Sequence, residues 1–424
     1  MKRRLLAVLL ALAARAQAAE EFGFDAAEFE KKPFEIGGYA ELKQERFSLN
    51  QGGAFYRLGF LGQPQRETLD RTTGTLQLQG VARHGIGSLD FRTQSVAQGD
   101  ELASERSTKI FDAALSLRPT PGFTVEAGKR ALRWGKGYAW SPLGFVERVK
   151  DPNDPQLARE GFVMADADWI ASPGGDLQTI AFTPVLLPVN ADVNKDFGDP
   201  GHLNAAAKLY LLYRDTDIDF AWLSEGSRPA RYGFDFARNL ASNFEVHGEW
   251  ARIRQLAKPV TDSAGRVTTE VGDATSYLLG LRYLTAADTT YIAEYYRNGT
   301  GYSEQQSSDF YRLVDDAFAA GNSALIQKAS TLATSYGRPN AGTDYLYFRV
   351  QQKDALDIVY FQPALTAMMN VRDNSYQVTP ELLYTGVKNL ELRFRLFLLQ
   401  GENFTDFGEK QVSSKLELYA RYYF

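Results

Sequence analysis

The last ten residues, Lys415 to Phe424, alternate. Leu416, Leu418, Ala420, Tyr422 and Phe424 fall at one parity, and Lys415, Glu417, Tyr419, Arg421 and Tyr423 at the other. A strand places successive side chains on opposite faces, so one face here suits hydrocarbon and the other suits water. A half-buried strand of a soluble sandwich alternates in the same way. The start of the chain separates these readings. Lys2, Arg3 and Arg4 precede an apolar run from Leu5 to Ala14, and Ala16-Gln17-Ala18 follows, the layout of a cleavable export signal over residues 1–18. That run is too short to cross a bilayer, and no later stretch approaches the roughly 20 consecutive apolar residues a spanning helix needs. Membrane residence after export therefore requires a closed barrel, because only helices and closed barrels satisfy their backbone groups in lipid.

Mean hydropathy is −0.32, as suits a barrel in which every second residue faces water. The aromatic share, 13% with 22 Tyr and 27 Phe, suits the two interfacial girdles of such a barrel. There is no Cys, which excludes a disulfide framework, a thiolate zinc site and a thiol nucleophile. The leader holds four of the 47 bases and none of the 52 acids, so the mature chain is acidic overall at −9. Nothing in that balance points to nucleic acid.

From residue 34 onward, alternating runs are joined by very short and longer polar connections in turn, as in barrels with short periplasmic turns and long outer loops. Eight short connections carry turn chemistry: His84-Gly-Ile-Gly87, Arg118 to Gly122, Ser172 to Asp176, Arg214 to Asp217, Arg238 to Asn243, Thr285 to Asp288, Lys353-Asp354 and Gly386 to Asn389. Each joins two strands. With a first strand near 34–45 and a last at 413–424, the spacing predicts an all-β transmembrane antiparallel barrel of about 18 strands, both ends periplasmic. Residues 19–33 form a short periplasmic segment and 34–424 the barrel.

Side-chain parity repeats the terminal pattern. Phe34, Ile36, Gly38, Ala40 and Leu42 oppose Glu35, Tyr39, Glu41 and Lys43; Phe111, Ala113, Leu115 and Leu117 oppose Asp112 and Ser116. Phe220 and Trp222 oppose Asp219, Phe234 opposes Asp235, and Leu390, Leu392, Phe394 and Leu396 oppose Glu391, Arg393 and Arg395. Runs near 177–186 and 356–367 alternate poorly. A barrel this wide leaves an aqueous channel, so the fold itself suggests transport.

The third outer connection is the most unusual segment. Between residues 129 and 160 it carries seven bases (Lys129, Arg130, Arg133, Lys136, Arg148, Lys150 and Arg159) against four acids (Glu147, Asp151, Asp154 and Glu160). Rich in Trp, Gly and Pro, it is suited to fold against the wall as a constriction, where Arg130, Arg133, Lys136, Arg148, Lys150 and Arg159 would attract anions. A salt-bridged surface loop is the other reading. The seventh outer connection, 298–343, shows helical spacing at Phe310, Leu313, Val314, Ala317 and Phe318 after Ser307 and Ser308, breaks at Gly321-Asn322 and resumes at Leu325. This predicts a helical hairpin, as a lid, a docking surface or a structural cap.

Asp192 to Asp199 has spaced oxygen ligands but lacks the glycine and acid positions of a calcium loop, so it reads as a solvated turn, and no metal is expected. The three His do not form a catalytic pattern. By parity Glu245, His247 and Glu249 face the lumen, as do Arg393 and Arg395, and all five are expected on its wall. Neither an enzyme nor a cofactor is called for.

Val125-Glu-Ala-Gly-Lys-Arg-Ala-Leu-Arg-Trp-Gly-Lys-Gly137 resembles the Gly-Arg/Lys plus Trp-Gly-x-Gly strand-to-loop pattern of Gram-negative outer-membrane porin-like barrels, including the alginate-export group. The resemblance implies passive passage of a small, anionic solute or polysaccharide. Barrels of this general kind also move hydrophobic compounds or sheathe an electron-transfer partner, and both readings stay open. Outer-membrane lipid, lipopolysaccharide and the barrel-assembly machinery are the expected partners, with Phe424 in the assembly signal. No periplasmic partner can be identified from the sequence.

Overall fold

Every strand runs antiparallel to its neighbours in sequence, and the first pairs with the last, so one 18-stranded sheet closes on itself. The computed structural model describes residues 32–424; the export signal and nearly all of the 19–33 segment lie outside the described residues. The strands are β1 (Phe34–Leu49), β2 (Thr68–His84), β3 (Gly87–Gly99), β4 (Ser104–Thr120), β5 (Phe123–Arg130), β6 (Phe162–Ala171), β7 (Leu177–Val189), β8 (His202–Tyr213) and β9 (Thr216–Leu223). The second half comprises β10 (Arg231–Ala241), β11 (Phe244–Thr261), β12 (Val267–Leu284), β13 (Thr289–Arg297), β14 (Asp344–Gln352), β15 (Phe361–Asn370), β16 (Tyr376–Val387), β17 (Leu390–Gln400) and β18 (Val412–Tyr423). Closure leaves no row of unpaired backbone groups. The seam runs from Tyr39 opposite Tyr423 to Leu49 opposite Val412, and Gly38 and Phe424 exchange two backbone hydrogen bonds of 3.0 and 3.1 Å.

All eight short turns lie where the turn residues place them. Left-handed backbone at Arg214, Asp215, Asp288 and Asn389 makes the tight reversals that hairpin twist favours. The seventh turn is longer than expected. Asp354, Leu356, Asp357 and Tyr360 all have positive φ around a 3-10 turn at Ala355–Asp357, which keeps 356–360 out of the ladder and delays β15 to Phe361.

Parity holds along the wall. Phe220, Trp222, Leu392 and Leu418 point outward and are 40–48% exposed in the isolated chain, whereas Asp219, Asp235, Glu391, Arg395 and Glu417 point inward and are buried. One assignment is corrected. Arg92 pairs with Asp112 and Thr93 with Ile110, so Phe111 is the extra residue of a bulge and is buried, lining an inner cavity beside Gln94 and Glu160 instead of facing lipid.

The outer loops carry the helices α1 (Ala54–Gly59), α2 (Glu304–Ala319) and α3 (Ser323–Tyr336). The cap of α2 is Ser303, in a reciprocal capping box with Gln306, rather than Ser307 or Ser308; Asn322 caps α3. Phe310, Val314, Leu332 and Tyr336 bury one face of the hairpin together with Ala54 of the first outer loop, and Tyr336 stacks on Phe310 at 4.3 Å. The hairpin is thus packed onto neighbouring loops.

Candidate pore and its inward loop

β5 ends at Arg130 and β6 begins at Phe162, and the intervening residues 131–161 turn into the barrel. Two residues before β5 ends, Gly128 allows a close approach to β4. Its φ is +135°, and a Cβ there would lie 2.2 Å from the Ala113 carbonyl oxygen on β4. Trp134 then buries itself among Leu143, Phe145, Phe162 and Leu187. The loop crosses to the opposite wall, where two carboxylates hold its main chain. The N–H groups of Gly137 and Leu143 donate to the two oxygens of Glu249 on β11, at 2.6 and 2.9 Å. Those of Tyr138 and Ala139 donate to Glu294 on β13, the latter at 2.9 Å. Gly135, at φ +93°, brings its backbone so close to Glu249 that an added Cβ would lie 2.6 Å from a carboxylate oxygen. The Trp-Gly-x-Gly pattern thus makes the main chain narrow enough to seat on buried carboxylates, each bond being charge-assisted.

A second anchorage lies on the β16–β18 wall. Arg395 donates to the Asn153 carbonyl (3.2 Å) and to Asp154 (3.3 Å), Arg393 lies 3.6 Å from Asp154, and Gln377 donates to the Asn153 side chain. Above the loop, the Trp140 indole N–H donates to Asn340 beside α3 at 3.1 Å, and its ring stacks on Tyr296 at 5.1 Å.

The six bases singled out in the sequence are not brought together. Arg130 sits between Glu126 and Asp166 (2.9 Å), in a group of acids with Asp168 whose oxygens lie within 4.8 Å of one another. Lys136 reaches Asp219 on β9 at 2.9 Å; burial pulls its ammonium down, but Asp219 and then Asp235 and Asp217 outweigh this and hold it above its usual range. Arg148 pairs with Asp196 and Glu160, and Arg159 with Glu147 at 2.6 Å. Lys150 donates to the Gly137 carbonyl, and burial pushes its ammonium down against the pull of Glu249 and Glu147. Arg133 is exposed and, among the described residues, has no carboxylate within 4 Å. Five of the six therefore lean on carboxylates or a carbonyl, and the local surplus of positive charge is largely neutralised within the protein.

The wall residues differ in the same way. His247 lies 3.0 Å from Glu294 and 3.4 Å from Glu245, and like Glu249 it is only 3% exposed. Arg393 and Arg395 face inward and hold the loop. Asp196, from the calcium-like stretch, is the partner of Arg148, and Asn194 donates to the carbonyls of Val163 and Pro188. Glu294 and Asp166 were not singled out from the sequence, and Asp219 was read only as an inward-facing strand residue. They are acids on alternating strands, and only the fold shows what they meet.

With the loop seated on β9–β13 and β16–β18, a cavity of about 640 Å³ remains against β1–β5. Its charged lining is balanced: Arg92, Arg130, Arg133 and Arg159 against Glu35, Asp90, Asp112 and Glu126. A second cavity, of about 380 Å³, lies between the loop, the fourth and fifth outer loops and β11–β13.

No protein-family model and no curated protein matches the sequence. Among solved structures, OccK5 (OpdH) of Pseudomonas aeruginosa overlays with a TM-score of 0.53 at 12% identity, over 92% of this chain and 97% of the other. OccD3 (OpdP) of the same organism overlays at 0.50 with 8% identity, over 92% and 91%. A variant of Rhodopseudomonas blastica porin overlays at 0.43 with 10% identity. The chain has a porin-like barrel fold, which the first two establish at full length.

Proposed function

We propose that this chain is an outer-membrane channel for the passive passage of small solutes, with a preference for anions. The observation that carries this reading is the third outer loop, clamped across the lumen by Glu249 and Glu294 and by Arg395, with an open cavity left along β1–β5. A barrel with a narrowed aqueous lumen sorts solutes by size and charge. The loop leaves no space in the lumen for a folded partner, which argues against a sheath, and the charged lining of the cavity argues against a hydrophobic cargo.

Because the cavity lining balances, selectivity has to arise at the level of the loop. There Arg133 is exposed without a carboxylate neighbour, and the partner of Arg159, Glu147, is pushed up to about 7 by burial against the pull of Arg159, so it is only partly ionised near neutrality. An uncompensated charge at a narrowing is worth on the order of 1 kcal/mol to a passing anion, a several-fold effect. The test is the reversal potential of the refolded protein in a planar bilayer under a KCl gradient. Wild type should favour chloride, and Arg133→Ala should reduce that preference several-fold. Arg130→Ala, by uncovering Glu126, Asp166 and Asp168, should turn the channel toward potassium. Potentials unchanged in both variants would place these side chains off the permeation path and remove the basis for the reading.

A further inference from the structure

Two arginines on the outer side of the loop lack the carboxylate contacts that Arg130, Arg159 and Arg395 have. Arg228, in the fifth outer loop, has its guanidinium carbon 4.0 Å from the centre of the Phe197 ring, and its Nε donates to the Phe197 carbonyl. Arg231, at the start of β10, lies 6.0 Å from the Phe145 ring centre and donates from Nε to the Pro229 carbonyl at 3.3 Å. Among the described residues, neither has a carboxylate within 4 Å, whereas Arg130, Arg159 and Arg395 each have one closer than 3 Å. Aromatic faces and carbonyls fix these two guanidinium groups in place without neutralising them. Burial pushes Arg228 down to about 10, which leaves it charged at neutral pH.

Both arginines line the cavity of about 380 Å³, whose charged lining counts five bases against Glu147 and Asp196. Of those acids, Asp196 is engaged by Arg148 and Glu147 by Arg159. Ser141 lines the same cavity, and its buried hydroxyl has no hydrogen-bond partner. A half-buried cation with no carboxylate in contact is only partly compensated, and an anion from solution would supply that contact together with an acceptor for the serine. The volume lies at the lower end of the range for small-molecule sites.

We propose that this cavity is a binding site for a small oxyanion, a carboxylate or a phosphate group, held by Arg228 and Arg231 with Ser141 as a further donor on the outer side of the loop. The site gives the anion-channel reading a place where solute is captured before passage, and it rests on that reading for its purpose. Carboxylate and phosphate share the chemistry the site recognises, planar or tetrahedral oxygens of negative charge that a guanidinium meets with paired N–H groups.

The test is calorimetric titration of the refolded full-length barrel in detergent with inorganic phosphate and, separately, with malonate. Wild type should bind at least one of the two saturably, and more weakly as salt is raised. Arg228→Gln with Arg231→Gln should weaken that binding at least tenfold, whereas Arg228→Lys with Arg231→Lys, which keeps both charges, should retain most of it. Each variant is checked for the heat-modifiable migration of a folded barrel, so that the lysine pair reports on charge even if the glutamine pair folds poorly. Absence of saturable binding of both probes to wild type, or equal binding by wild type and a folded glutamine variant, overturns the site. Reversal potentials on the same preparations separate this from the channel reading. Phosphate binding by a barrel that passes potassium and chloride equally would keep the site and remove the anion preference, and chloride selectivity without binding would do the reverse.

Discussion

Glu147 shows how one side chain of the loop couples to pH. Buried beside Arg159 and facing Lys150 and Glu249, its carboxyl is pushed up to about 7 by desolvation, with Arg159 pulling the other way. Below that value it is protonated, Arg159 loses its counter-charge, and the β1–β5 cavity gains positive charge. Anion preference should therefore rise as pH falls from 8 to 5.5, and Glu147→Gln should show the acidic behaviour at both values. A wild-type reversal potential that does not move across this range would contradict the assignment. The sign for stability follows from the same shift. Folding favours the protonated carboxyl, so this contribution is complete below the ordinary carboxylate value and is lost as pH rises through about 7. At this scale the sequence was legible for residue type and, along most strands, for direction. It was not legible for partners: Lys136 meets Asp219, and Gly137 meets Glu249, only after the barrel has closed. Phe111 was misassigned because a bulge leaves no mark on an alternating run.

At the scale of elements, the inward loop and the helical hairpin were both visible as departures from alternation, one through Trp, Gly and Pro with mixed charge, the other through helical spacing. Their anchors were not visible. Ser303 caps α2 through a capping box with Gln306, a signal present in the sequence but overshadowed by Ser307 and Ser308 nearer the apolar run. Parity placed Glu249 on the lumen wall, but nothing local marks either Glu249 or Glu294 as an anchor for the loop. Hydrogen bonds to a buried charged group contribute about 1.5 to 3 kcal/mol each. Glu249→Ala would leave the Gly137 and Leu143 N–H groups without acceptors and should loosen the loop without opening the barrel. Single-channel recordings should then show a larger and noisier conductance than wild type, with Glu249→Gln, which keeps one acceptor oxygen, in between. Identical conductance in all three proteins would mean that the loop is held by its apolar packing around Trp134 instead.

Strand number and closure were the most legible properties of the whole molecule, because turn chemistry is local and repeats eight times, and parity leaves little freedom of register once one face is lipid. Register sets where a charge can be tolerated. Leu418 pairs with Phe394 midway along its strand, and Leu392 pairs with Ala420 closer to the short-turn end. Leu418→Arg should cost about 2 to 4 kcal/mol and Leu392→Arg less, since the penalty falls toward the interfaces. Arg393→Leu should leave folding intact but disturb the hold on Asp154 and hence the conductance. Equal losses of folding at all three sites, measured by denaturant titration in lipid, would contradict the orientation. Deleting Phe424 removes two seam hydrogen bonds with Gly38 and should lower the yield of assembled barrel in the membrane; an unchanged yield would detach the terminal residue from assembly.

At Glu249 and Glu294 the clamp grips the main chain of the third loop, not its side chains. Glu249 and Glu294 ask of the segment only that it present N–H groups at the right places and keep Gly135 and Gly137 slender, so the wall works as a socket and the loop as an insert. An exposed position such as Arg133 is then free to change identity while the insert stays seated at the same depth. Evolution or an engineer could exchange the filter of this barrel as a cartridge, altering what passes without redesigning the wall that holds it.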